Sequence, residues 1–130
     1  MRMPVTAEDI LVGIFYHLKL DQRDKVTADR ETLHRVFYRV RERHPGVMAL
    51  FSFRDRELFP ESSQLDQALS NLDAAGLISR RSPAPRYYRF EDPLVSCYKK
   101  FSKDLLRDAG IDEDEIDAVA QEIDCLTTGN

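Results

Sequence analysis

The chain has 130 residues, 42% of them hydrophobic and 32% charged, with a formal net charge of −4. This balance suits one soluble domain with one core and excludes a disordered polyelectrolyte. No apolar run approaches the roughly 20 residues that span a bilayer, so no membrane partner is expected. The opening MRMPVTAEDI lacks the apolar stretch of a secretory signal, and Cys97 and Cys125 have no CxxC spacing; reduced thiols and a cytoplasmic location are the expectation. The net charge hides an asymmetry. Residues 1–90 hold 15 Lys/Arg against 12 Asp/Glu, and residues 91–130 hold 4 against 11. A polycation over the whole surface is excluded, while a basic face on the first part is allowed.

Thr6 and Asp9 have capping-box spacing, and a helix is expected from there to about Leu18. Ile10, Leu11, Ile14, Phe15 and Leu18 give it a broad apolar face, and Gly13 leaves room for a close helix contact. Residues 21–26, DQRDKV, read as a charged loop. Thr27 is read as the cap of a second helix, ending near His44 before Pro45-Gly46. Leu33, Val36, Phe37 and Val40 form its buried stripe. Arg35, Arg39 and Arg43 recur every four residues, either as a solvated face partly neutralised by Glu31 and Glu42 or as a row of phosphate contacts.

Residues 47–59 allow two readings. Met48–Phe53 and Glu57–Phe59 can pair as a hairpin, or the segment holds a short helix. Beyond it, Ser62 or Ser63 can cap a third helix, in which Leu65, Leu69 and Leu72 recur at helical spacing beside Ala68 and Ala75. Gly76 stands where a left-handed residue ends a helix. Leu77 and Ile78 return to the core. Ser79–Arg81 and Arg86–Phe90 read as two short strands around the tip Ser82-Pro-Ala-Pro85.

The phrase Leu69-x-x-Leu72-x-x-Ala75-Gly76-Leu77-Ile78, followed by Arg80-Arg81, a turn and Tyr87-Tyr88-Arg89-Phe90, resembles the recognition helix and wing of winged helix-turn-helix proteins. The resemblance covers roughly a quarter of the chain. It implies a mainly α fold with a small β-hairpin, a winged-helix-like domain over residues 1–92 and additional C-terminal helices. Residues 45–61 are far longer than the turn of a tight helix-turn-helix.

After Glu91-Asp92-Pro93 another helix is expected, with Leu94, Tyr98, Phe101 and Leu105 on one stripe and Cys97 alongside; Gly110 ends it. Asp112 and Glu115 form a capping pair for a last helix carrying Ile116, Val119 and Ile123. The acids of its first turn, Asp112 to Glu115, are favoured there by the helix dipole. Residues 93–126 are thus a helical extension, packed on the same domain or forming a dimer surface through Leu94, Tyr98, Phe101 and Leu105.

No enzyme is expected. His17, His34 and His44 lie in no nucleophile motif, Cys97 reads as a small core residue, and there is no Gly-rich phosphate loop, zinc spacing or calcium loop. No cofactor and no metal are expected. The resemblance points instead to a DNA-binding protein acting in transcription regulation. Ser63, Gln64, Gln67, Ser70 and Asn71 face outwards from the third helix in a strip free of acids, and Gln and Asn can pair with adenine in the major groove. Arg80, Arg81, Arg86 and Arg89 concentrate charge on the wing for phosphate or minor-groove contact. Arg35 and Arg39 are the further DNA candidates. Such a protein would form a two-fold homodimer on paired half-sites. The alternative is a winged-helix module with a protein partner and no DNA, in which the wing arginines simply protect a hairpin edge.

Overall fold

The computed structural model describes residues 4–55, 58–80 and 86–128, so Arg81 and the hairpin tip at 82–85 lie outside the described residues. The fold is mainly α with a small antiparallel sheet. Helix α1, Ala7–Leu20, begins with the capping box: the Thr6 hydroxyl accepts from the Asp9 amide and the Asp9 carboxylate accepts from the Thr6 amide. Its face from Ile10 to Leu18 is buried almost all round, which makes α1 the central element of the core. No helix among the described residues is long and apolar enough to cross a membrane.

The expected loop at 21–26 contains a strand. Lys25–Thr27 (β1) pairs antiparallel with Tyr87–Phe90 (β3), and β3 pairs with Ile78–Arg80 (β2), giving the order β1-β3-β2. Val26 is the one residue of β1 that points into the core, so its alternation is too short to read through the charged neighbours. Strand formation also removes Thr27 from capping. Helix α2, Arg30–Arg43, is capped by Asp29, whose carboxylate accepts from the Thr32 amide at 3.1 Å; the Thr27 hydroxyl accepts from the Asp29 amide instead.

Between α2 and helix α3, Ser63–Ala74, the described residues form no helix and no regular strand; the hairpin expected there includes Glu57, which with Arg56 lies outside the described residues. The connection is an irregular segment anchored by its own apolar side chains. Val47, Met48 and Phe51 are buried, Phe51 meets Phe37 edge-on at 5.7 Å, and Phe53 meets Tyr38 at 5.4 Å. An isolated antiparallel bridge between Arg54 and Glu61 closes it, with amide–carbonyl bonds of 2.8 and 2.9 Å. A long connection is tolerable because it buries core of its own rather than exposing a slack loop.

Ser62 caps α3 by accepting from the Leu65 amide. At the other end the Leu77 amide donates to the Leu72 carbonyl and the Gly76 amide to the Asp73 carbonyl, with Gly76 at φ +76°. This is a Schellman turn, and it aims the chain straight into β2. A Cβ at Gly76 would meet nothing within 4 Å, so only the backbone conformation resists substitution. Gly76→Ala is therefore expected to lower stability by about 1–2 kcal/mol, read as a shift of the urea midpoint at constant slope.

Asp92–Cys97 (α4), a π-helical turn at Tyr98–Ser102 and Lys103–Asp108 (α5) form one continuous helical run. The π turn changes which residues face inwards. The sequence stripe Leu94, Tyr98, Phe101 and Leu105 becomes Leu94, Tyr98, Ser102 and Leu106, all buried. The wider turn keeps residues four apart in line, where a straight α-helix would let them drift round. Leu94 and Tyr98 are thus core residues of this chain and not a dimer surface. Phe101 is left 62% exposed and Leu105 half-buried. Ser102, turned inwards, donates to Asp9 at 2.9 Å.

Helix α6, Glu113–Thr127, is capped by Asp112, which accepts from the Asp114 amide; Glu115 meets Asp112 through its backbone amide rather than a reciprocal side-chain cap. It lies against α1, α2, α5 and β1. Its acids answer the basic first part of the chain, with Arg23 to Asp124 at 3.2 Å and Arg43 to Glu122 at 2.8 Å. Residues 93–126 accordingly pack on the same body as residues 1–92.

Candidate nucleic-acid interface

Helix α3 turns Leu65, Ala68, Leu69 and Leu72 inwards and leaves Ser63, Gln67, Ser70 and Asn71 exposed. Gln64 does not join that strip. Its side-chain oxygen accepts from the Ser52 amide and the Ser62 hydroxyl, both at 3.2 Å, tying the connecting segment to the start of α3. Gln67 donates to Asn71 at 2.9 Å, and Asn71 donates to Glu8 of α1 at 2.7 Å. Glu8 therefore brings an acid to a strip that contains none of its own. Burial alone would raise the Glu8 pKa, but hydrogen bonds led by that of Asn71 outweigh it and hold the carboxyl below its usual range. No sequence pattern marks this contact, since α1 and α3 meet only in the fold.

The joint between α2 and α3 is polar and closely matched. Arg30 grips Asp66 with two nitrogens at 3.1 and 2.7 Å and reaches Glu61 at 3.0 Å. His34, fully buried, accepts the Ser62 amide at Nδ1 (3.0 Å) and meets Asp66 through Nε2 at 2.8 Å. A backbone amide can only donate, so Nδ1 carries no proton and Nε2 donates to the carboxylate. One ring thus fixes both the capping residue and the first turn of α3. Burial would raise the Asp66 pKa, yet the hydrogen bonds from Arg30 and His34 prevail and hold it below the usual aspartate range. The stability due to Asp66 is then present above the ordinary aspartate pKa of about 3.9 and lost as pH falls below it. The stability difference between the wild type and Asp66→Asn, measured by urea unfolding from pH 2.5 to 7, is expected to be flat above about pH 4 and to shrink below it.

The sheet register divides the hairpin arginines. Arg89 stands opposite Lys25 and Ser79, on the outer face of the sheet, where Lys25 lies over the Tyr87 ring at 4.4 Å. Arg80 stands opposite Tyr88, on the face that turns towards the helices, and its guanidinium lies 5.3 Å from the Tyr88 ring centre. Arg80 and Arg86 line an open cleft of about 580 Å³ with Arg30, Tyr87 and residues 27–29 at the start of α2. Arg30 was not legible as a site residue, because only the fold carries the first residue of α2 to the hairpin.

The other candidates are less concentrated. Arg35 is held by Glu31 at 3.1 Å and by the Leu58 carbonyl at 2.8 Å, and Arg43 by Glu122. Arg39 is exposed. The spacing of these three arginines is real, but two of them are already engaged inside the chain. No family model matches the chain, and no curated protein or solved structure matches it.

Proposed function

We propose that this is a winged-helix DNA-binding protein acting as a cytoplasmic transcriptional regulator. The element order α1-β1-α2-α3-β2-β3 and the sheet order β1-β3-β2 support the winged-helix reading, with α3 as recognition helix and β2-β3 as wing. The observation that carries the DNA reading is the cleft where Arg80 and Arg86 join Arg30 beside the amino end of α2. Guanidinium charge on Arg80 and Arg86, which make no ion pair among the described residues, favours phosphate oxygens; Arg30, held by Asp66 and Glu61, adds only to the local field. In this reading Ser63, Gln67, Ser70 and Asn71 approach base edges. Asn71 does so by exchanging its bond to Glu8 for one to a base, which places part of the specificity on the α1–α3 contact.

The test is equilibrium binding of the purified chain to a labelled random-sequence duplex at two salt concentrations. Binding at low salt that falls steeply as salt rises is the expected result. Absence of binding at the lower salt would overturn the proposal. A second reading, docking to a protein partner or to a second copy, is favoured by one observation, the exposed Phe101 ring on the π turn. A duplex-binding chain that is monomeric by sedimentation would set the two-fold arrangement aside and keep the DNA reading.

A further inference from the structure

On the C-terminal half lies a second cleft, of about 330 Å³, within the size range of small-molecule sites. Its apolar surface is Tyr98 from the π turn, Leu106 from α5, Ile111 from the connecting turn and Ile116 from α6. Gly13 of α1 lies beneath it: a Cβ there would come within 3.2 Å of Leu106, 3.3 Å of Ile116 and 3.8 Å of Tyr98. That close approach of α1 sets the position of the apolar lining.

Charge around the cleft is predominantly negative. Asp112 and Glu113 line it, and Asp114, Glu115 and Asp117 follow on the same helix. Of the two cations that line it, Arg107 is already engaged with Asp104 at 3.0 Å and Asp108 at 3.9 Å; Lys103 is the other. Glu113 is aimed by two groups from below. The Tyr98 hydroxyl donates to its Oε1 at 3.1 Å, and the buried His17 places Nε2, which has no hydrogen-bond partner among the described residues, 3.7 Å from the same oxygen. Tyr98 is itself stacked on Tyr16 at 4.0 Å, so its ring is fixed.

From the apolar floor, the oriented carboxylate and the fixed aromatic ring, we infer that this cleft binds a small organic cation, an amine with a hydrophobic body. The ammonium sits against Glu113 with Asp112 nearby, and the body lies on Tyr98, Leu106, Ile111 and Ile116. A carboxylate there answers the ligand charge, and the apolar side chains cover the ligand body. An anionic ligand of the same shape would meet the acidic first turn of α6 and be repelled. The site is independent of DNA: it lies on α5 and α6 and shares no lining residue with the Arg80–Arg86 cleft.

The experiment titrates the full chain with phenethylamine, 3-phenylpropionate and phenylalanine while following the methyl signals of Leu106, Ile111 and Ile116 by NMR. Saturable shifts with the amine and none with the acid are expected at concentrations up to about 10 mM. Glu113→Gln, a change at a half-exposed position that keeps an oxygen for the Tyr98 hydroxyl, is expected to weaken amine binding about tenfold with only a small fall in melting temperature. Lys103→Glu is expected to tighten it. Binding of the acid or the zwitterion as tightly as the amine, no saturable shift with the amine, or unchanged affinity in Glu113→Gln would each overturn the inference.

Discussion

Phe51→Ala is expected to lower the stability of the fold by about 3–5 kcal/mol, the range for removing a large buried aromatic side chain. Phe51 is fully buried although it belongs to an irregular segment, and its ring meets Phe37 of α2 edge-on. Truncation opens a cavity that irregular backbone can close only in part, and it removes an aromatic pair worth about 0.5–1.5 kcal/mol beyond its area. Leu58→Ala in the same segment is the matched control: Leu58 is 75% exposed, and its loss is expected to stay within about 0.5 kcal/mol. Urea unfolding of both variants measures the difference. A cost below about 1 kcal/mol for Phe51→Ala would mean that residues 44–62 are a loop laid over the core rather than part of it.

That segment also shows where sequence reading stops. Its apolar residues are visible, but neither period 2 nor period 3.6 runs through them, so the core contribution of Met48 and Phe51 has no local signature. By contrast α1, α3 and the β2-β3 hairpin were legible, because capping residues, leucine spacing and Gly76 all act within a few residues of one another. β1 was hidden because three residues with one inward side chain give no alternation to count. The π turn was hidden for a different reason: the heptad-like spacing of Phe101 and Leu105 is correct for an α-helix, and tertiary contacts of Ser102 with Asp9 and of Leu106 beside Gly13 select the other register. For the candidate site, the arginines of the hairpin were visible as a group. Their division into two faces, the enlistment of Arg30 and the withdrawal of Gln64 into the cap depend on strand register and helix packing. Those are relations between distant residues.

The double variant Arg80→Ala/Arg86→Ala is expected to weaken duplex binding by about 10- to 100-fold at low salt and to flatten its salt dependence. Each phosphate contact contributes about 0.9 to the slope of log affinity against log salt, so losing two should reduce the slope by nearly 2. The two arginines are the right pair because they line the same cleft, whereas Arg89 stands on the outer face of the sheet. Arg89→Ala is therefore expected to reduce the slope by no more than about 1, and Arg107→Ala, far along the chain on α5, to leave it unchanged. Arg30 makes a sharper contrast. Its charge is shared with Asp66 and Glu61, and those hydrogen bonds strengthen its hold on its proton. Its replacement should loosen the α2–α3 joint more than it lowers the electrostatic attraction. The stability of the double variant must be measured beside its affinity, since Arg80 also lies over the Tyr88 ring and its loss removes a cation–π contact of about 0.5–1 kcal/mol. If the melting temperature falls slightly and the slope falls by about 2, the cleft is a phosphate site. If the slope is unchanged while the chain still binds DNA, the Arg80–Arg86 cleft faces away from the duplex, and the attraction comes from other cations, with Arg89 on the outer face of the sheet and Arg39 on α2 the next to replace.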